Sequence, residues 1–206
     1  MFLTIEGIEG SGKTTQVERL GRALADLGRA VRATREPGGT PAGRRIRELL
    51  LHGEEPIAPW TELFLILADR AEHVASLIRP ALARGEIVLC DRFSESTLAY
   101  QAYGRGLPFA DVRAAEAAAR QALLPDVTVV LDCPVEIGLD RTRKRRGAAG
   151  ADRFESEAEA FHDRVRRGFL ELARADAKRI VVLDGARDAD VVHGDILALA
   201  RERSPR

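Results

Sequence analysis

Residues 7–15 read GIEGSGKTT, and the residue types and spacing in this stretch can hold phosphate. Glycines at positions 7 and 12 let successive backbone N–H groups turn inward, and a helix starting just beyond adds its partial positive charge. Lys13 is long enough to reach the β- and γ-phosphates of a nucleotide, and the Thr14 hydroxyl can ligate Mg²⁺. The apolar run FLTIE precedes the glycines and an amphipathic run follows them, which is the strand–loop–helix setting that a P-loop requires. Such a cradle specifies a nucleoside triphosphate. It leaves open whether the phosphate is hydrolysed, kept as a timing device or handed to a second molecule.

Three further segments bear on that choice. TREPGGT (34–40) is followed by Arg44, Arg45 and Arg47, CDRFSESTLAYQ spans 90–101, and the basic run RTRKRR (141–146) leads into GAAGADRFE. Each follows an apolar, strand-like run, and in an open parallel sheet ligands bind where such loops gather. A GTP-dependent switch would read guanine with an Asn/Thr-Lys-x-Asp segment, yet the chain has no asparagine and no Thr-Lys-x-Asp at a strand end. An ATPase that drives a partner needs only the P-loop, and the additional arginines count against it. Two phosphorylated ligands meeting head-on carry about five or six negative charges. Mg²⁺ and several arginines would neutralise them, so the residues favour transfer to an acceptor that is itself a phosphate.

The elements that position these residues are short and regular. FLTIE, AVRAT, EIVLCD, VTVVLD and RIVVLD have the composition of strands, and longer amphipathic stretches alternate with them at 14–28, 42–52, 61–85, 111–124 and 159–175. Gly28 and Gly85 stand where helix C-terminal caps are expected. Continuous apolar strands alternating with helices predict a three-layer α/β/α fold around a five-stranded parallel sheet. With 206 residues, no repeat and no linker, a single domain over 1–206 is expected, ending in a frayed RERSPR tail. Lys+Arg and Asp+Glu both number 32, so no global field favours nucleic acid or a membrane. The absence of a leader-like or membrane-length apolar run predicts a cytoplasmic protein. Cys90 and Cys133 each end an apolar run and are expected to be buried free thiols.

The residues resemble the thymidylate kinases of the P-loop nucleoside monophosphate kinase group. The resemblance runs along nearly the whole chain: FLTIEGIEGSGKTTQ, TREPGGT, RELLL, LADRAEH, DRFSESTLAYQ, VVLDCP, RTRKRRG, DRFE and FHDRVRRGFLELA. It implies transfer of a phosphoryl group from ATP to dTMP, giving ADP and dTDP, with Mg²⁺ as the metal and a homodimer as the assembly. It implies that Lys13 and the loop residues Gly7, Gly10, Ser11, Gly12, Thr14 and Thr15 hold ATP. Thr14 and Asp91 would serve the metal, and Arg92 would bridge donor and acceptor phosphates. Glu9 would meet the sugar 3′-hydroxyl and Arg47 the dTMP phosphate. Arg70 and Thr97 would hydrogen-bond the thymine edge, Tyr100 would lie against the deoxyribose, and Gln101 would be a further substrate-binding residue. Some relatives carry a catalytic arginine after the P-loop acid; here that position is Gly10, which moves the role to a mobile lid at about 141–155. Arg145 is the first candidate, with Arg143, on the ATP side, and Arg146 close behind. Ile66 stands where relatives place an aromatic residue over the base, with Phe64 nearby. Glu95 replaces a frequent Asp, and Phe93 a Tyr or His.

The acceptor oxygen of a monophosphate is already ionised at neutral pH, since its second pKa lies near 6. No general base is then required, and His52, His73, His162 and His193 are expected in solvent-facing or capping roles. A deoxynucleoside kinase of the same fold would need a base, for which Glu9 or Asp91 could serve. The pair Arg47 and Arg92 argues instead for an acceptor phosphate.

Overall fold

The computed structural model describes residues 1–53, 55–146, 152–155 and 157–203, with only the backbone of Arg146. Five strands form one parallel sheet: β1 (Phe2–Glu6), β2 (Val31–Arg35), β3 (Ile87–Asp91), β4 (Val127–Asp132) and β5 (Ile180–Asp184). Their spatial order is β2-β3-β1-β4-β5. The central strand, β1, therefore pairs with both β3 and β4, placing Ile5 opposite Asp91 and Glu6 opposite Val130. The loops after β1 and β3 consequently emerge side by side at the same sheet edge.

Alternation along β1 assigns its side chains to two layers. Leu3 and Ile5 pack with Val17, Leu20 and Leu24 of α1 (Lys13–Asp26) and with Val192 and Ile196 of α9 (Ala189–Arg203). Phe2 faces the other layer, where Val74 and Ile78 lie in a π-helical stretch (Val74–Ile78) between α3 (Pro59–His73) and α4 (Arg79–Ala83). On that side α8 (Glu159–Ala175) contributes Phe161, Val165 and Phe169. Between β2 and α3 in the chain, α2 (Pro41–His52) begins at Thr40, whose hydroxyl accepts from the Gly43 N–H at 2.9 Å, with Pro41 in the first turn. This N-cap and helix-first proline are the expected start signals.

The predicted strands agree with the observed ones to within a residue or two. Four elements exceed the sequence expectation, α9 among them. After β3, α5 (Ser94–Thr97) runs into a second π-helical stretch (Leu98–Gly104), and the helix expected at 111–124 follows as α6 (Phe109–Ala119). The basic run belongs to a regular helix, α7 (Val135–Arg146), so the predicted lid includes the end of a helix at its root. Residues 147–151 of that lid lie outside the described residues. Arg201–Arg203 of the expected tail continue α9.

The layer under the site contains a buried polar group of residues. Thr4 and Thr128 share a hydrogen bond of 2.8 Å, and Arg179 donates both to Thr128 and to the buried Glu95. Glu95, in the place of the more usual Asp, is thereby part of the frame. Glu6 accepts from the Phe93 N–H at 2.7 Å and from the Ser96 hydroxyl at 2.5 Å. Burial, reinforced by Glu95, raises the Glu6 carboxyl from 4.5 to about 7. The unfolded chain then holds fewer protons than the native one between those values, so stability is lost as pH rises from 4.5 through 7. The loss amounts to about 3 kcal/mol when complete. The midpoint of chemical unfolding should fall less steeply with pH across this window in Glu6→Gln than in the wild type. Parallel slopes would show that Glu6 does not titrate there.

Candidate active site

The P-loop turns at Gly12, whose φ of 99° is left-handed and precedes the first residue of α1. Gly10 is also left-handed, with φ of 71°, and lies against α7: a methyl group there would come within 2.0 Å of the Gly138 carbonyl oxygen. A methyl on Gly138 would in turn meet the Glu9 carbonyl at 2.5 Å. Bare backbone thus touches bare backbone, and the phosphate loop rests directly on the beginning of α7. Lys13 curls back so that Nζ donates to the Ile8 carbonyl at 2.7 Å. Burial and the nearby Arg92 lower its amine from 10.5 to about 8. The Thr14 hydroxyl donates to Asp91 Oδ2 at 2.5 Å, joining the loops after β1 and β3. Thr15 is exposed on the following turn.

Arg92 occupies the centre of the edge. Its backbone is left-handed, φ 72°, which is uncommon outside glycine. Nη1 donates to the Gly7 carbonyl at 3.1 Å and to Ser96 Oγ at 3.0 Å; Nη2 donates to Glu9 Oε1 at 2.8 Å and to Tyr100 Oη at 3.1 Å. The guanidinium also lies 4.9 Å from the Tyr100 ring centre. Burial would raise the Glu9 carboxyl, but Arg92, His162, Lys13 and the Tyr100 hydroxyl outweigh it and hold Glu9 well below the usual carboxylate range. His162 Nδ1 stands 3.3 Å from Glu9 Oε2.

Beyond Arg92 the cleft narrows between α2, α3 and the segment 94–104. Arg70 is buried and held on every side: Nε donates to Glu36 Oε2, Nη1 to the Thr97 hydroxyl and Nη2 to the Phe93 carbonyl, each at 2.8 Å. Glu36 is oriented by His73, which also bonds Thr34. Gln101 is fully buried and lines the cleft beside Thr97 and Tyr100. Ile66 lines it as well, whereas Phe64 is 59% exposed and packs on Trp60 outside it. The apolar wall thus comes from Leu51, Ile66 and Phe154, whose ring meets Tyr100 edge-on at 5.5 Å. Arg47 donates to the Pro37 carbonyl at 3.0 Å. Burial, then the charges of Arg35 and Arg92, lower its pKa. Among the described residues neither Arg47 nor Arg35 has a carboxylate within ion-pair distance. An anion is the partner that such a cluster lacks.

Arg145, near the end of α7, lines the cleft from the opposite side and pairs with Glu155 at 3.2 Å. Arg143 is exposed and does not line it; the Arg146 side chain lies outside the described residues.

The chain matches the family model described as thymidylate kinase over residues 5–196. The chain belongs to the thymidylate kinase family. It is 48% identical over 201 residues to the thymidylate kinase of Pelobacter propionicus, covering 96% of this chain and 92% of that one. To the thymidylate kinase of Pseudomonas fluorescens it is 50% identical over 200 residues, covering 97% and 94%. The crystal structure of thymidylate kinase from Ehrlichia chaffeensis superposes with a TM-score of 0.78 at 32% identity, covering 98% of both chains. As a thymidylate kinase, the chain is a phosphotransferase that phosphorylates dTMP at the expense of ATP.

One cleft of this kinase brings together Glu9, Gly10, Lys13, Thr14, Arg47 and Arg70 with Asp91, Arg92, Thr97, Tyr100, Gln101 and Arg145. Sequence reasoning missed Arg35, Glu36, Asp152 and Phe154, which line the same cleft. Arg35 and Glu36 lay inside the quoted TREPGGT stretch, and the succession of a charged pair and a glycine turn at a strand end was the available signal. His73 and His162 correct the expectation of exposed or capping histidines: both are buried on the inner faces of their helices and oriented toward carboxylates.

The lowered Lys13 pKa has a consequence for ATP binding. Phosphates favour the charged amine, so a lysine that is partly neutral in the free enzyme must take up a proton when ATP binds. Calorimetry at about pH 8.5 in buffers of different ionisation enthalpy should report net proton uptake that fades toward about pH 6.5. A binding heat independent of the buffer at the higher pH would rule this out.

Proposed function

We propose that this chain performs the family reaction by in-line positioning and charge neutralisation, without a general base. The carrying observation is that Arg35, Arg47, Arg92 and Lys13 line one cleft, with Arg92 near enough to both Arg47 and Lys13 to lower their pKa values. Lys13 and the loop from Gly7 to Thr15 hold the ATP phosphates, with Ser11 and Gly12 supplying backbone N–H groups and Arg143 available on the ATP side. Arg47, with Arg35, takes the phosphate of dTMP. Arg92 lies between the two phosphate sites, and Arg145 adds a positive charge from the lid. Charge spread over the moving phosphoryl is stabilised by such pre-set cations, which need no reorganisation during the step.

The hydroxyl of Thr14 and the carboxylate of Asp91, 2.5 Å apart, form a hard-oxygen pair that fits Mg²⁺. This ion commonly takes one or two protein oxygens and completes its shell with phosphate and water. When bound it would offset phosphate charge. Glu9, kept ionised by its neighbours, accepts a hydrogen bond from the sugar 3′-hydroxyl, and Tyr100 covers the deoxyribose face. Arg70, Thr97 and Gln101 read the thymine edge, with Ile66 in place of an aromatic stack. A nucleoside kinase is disfavoured because its neutral acceptor would leave Arg35 and Arg47 facing each other without an anion.

The catalytic unit is taken as one domain of the whole chain, working in the cytoplasm as a homodimer. The dimer is supported by an exposed apolar group on α2 and α3, namely Leu49, Trp60 and Phe64. No described helix is long and apolar enough to cross a membrane.

Coupled ADP release should respond strongly to dTMP and not to thymidine. Lys13→Ala and Arg92→Ala should each reduce kcat by about 10²-fold or more with the folded far-UV spectrum retained; near-normal turnover in either would end its assignment. Sedimentation equilibrium should give twice the 22.5 kDa chain mass, and Phe64→Asp should shift it toward the monomer. A monomeric wild type would remove the dimer from this reading.

A further inference from the structure

A single buried amide in the cleft is oriented by a carboxylate that lies outside it. Gln101 is fully buried and lines the cleft. Its Nε2 donates to Glu62 Oε1 at 3.0 Å, while its Oε1 has no hydrogen-bond partner among the described residues. Glu62 itself is outside the cleft lining, in the first turn of α3, and is almost wholly buried. Arg105 holds it with two prongs, Nε to Oε1 and Nη2 to Oε2, both at 3.0 Å. The same guanidinium pairs with Glu157 and lies 4.8 Å from the Phe161 ring centre.

A carboxylate gripped in this way can only accept hydrogen bonds. The amide group turned toward it must therefore be the nitrogen, and the amide oxygen is left for whatever enters the cleft. Four residues earlier, Thr97 has the complementary character. Its hydroxyl oxygen already accepts from Arg70 Nη1, so its own proton remains to be donated. The wall thus offers a donor at Thr97 and an acceptor at Gln101.

We propose that Glu62 is a positioning residue that sets base specificity, by fixing Gln101 so that an acceptor meets position 3 of the pyrimidine. This rests on the reading above, in which Thr97 and Gln101 face the base. Thymine and uracil present a 4-keto acceptor and a 3-NH donor, which match. Cytosine presents a 4-amino donor and an N3 acceptor, so like meets like at both places. Buried polar groups left unmatched in this way discriminate strongly. If the Gln101 amide were free to turn over, its nitrogen would serve N3 of cytosine and much of the distinction would be lost. The 5-methyl group has no part in this argument, so uracil is not excluded by it.

The test compares kcat/KM for dTMP with that for 5-methyl-dCMP, which keeps the outline of dTMP and inverts the 3,4-edge. The wild type should favour dTMP by about 10⁴-fold, the discrimination typical of a site built to hydrogen-bond its substrate. Glu62→Met, of similar length and without the carboxylate, should shrink that ratio at least about tenfold. A fall of both values by one common factor, or an unchanged ratio, would show a structural role only and overturn the proposal. A wild type indifferent to the two substrates would overturn the base-reading assignment itself, and the role of Glu62 with it. Neutron diffraction of the perdeuterated wild-type complex with dTMP provides a reading that does not depend on the variant folding. Deuterons on the Gln101 atom facing Glu62 are expected, and deuterons on the atom facing the base would overturn the proposal.

Discussion

A non-glycine residue in the left-handed region costs about 1–3 kcal/mol unless its surroundings over-determine it. Arg92 is over-determined. Its guanidinium donates to Gly7 and Glu9 in the loop after β1 and to Ser96 in the segment after β3, so two pieces of chain share one cation. Its backbone turn is what sends the following residues sideways, allowing the Phe93 N–H and the Ser96 hydroxyl to reach Glu6. Without that turn the segment 94–104, which carries Thr97, Tyr100 and Gln101, would have no fixed relation to the phosphate loop. The strain and the site have the same origin.

Charge follows the same organisation. A chain whose formal charge is zero pairs several of its buried acids with arginines. Glu36 and Glu116 flank Arg70, Glu62 and Glu157 flank Arg105, and Glu95 meets Arg179. Breaking one member of such a buried pair is strongly destabilising because it leaves the other charge uncompensated. The arginines at the acceptor end are the departure from this rule. Arg35 and Arg47 stand near each other with no carboxylate within ion-pair distance among the described residues, and Asp152 and Asp91 offset their mutual repulsion only in part. The frame is balanced, and the substrate-facing end is not.

Much of this was legible in the chain. The glycine spacing, five apolar runs and charged strand ends led to the sheet, the P-loop and the arginines at the strand ends, because each depends on local pattern, whereas Glu9, Arg70, Thr97, Tyr100 and Gln101 were reached only through the family resemblance. What stayed hidden depends on register across the fold. His73 and His162 read as surface residues since nothing in their own helices shows that the inner face carries a polar network. Glu62 lies 39 residues from Gln101, and only the docking of α3 on the segment 98–104 brings them together. That segment was itself missed: π-helical winding has no strong sequence period. α7 was obscured because its run of basic residues masks the helical alternation, and Glu95 could be placed only once β5 delivered Arg179.

The contact between Gly10 and Gly138 limits the routes by which this enzyme can diverge. Relatives that carry an arginine at the position of Gly10 need space that α7 fills here with its backbone. Any side chain introduced at position 10 meets the Gly138 carbonyl, and since the obstacle is main chain no second point substitution removes it. Reaching the alternative P-loop would require α7 to be lifted or re-registered, which would also relocate Arg145. A P-loop arginine and the proposed lid arginine are thus separated by a helix movement, and a lineage that has adopted this packing is held to it by the shape of its backbone.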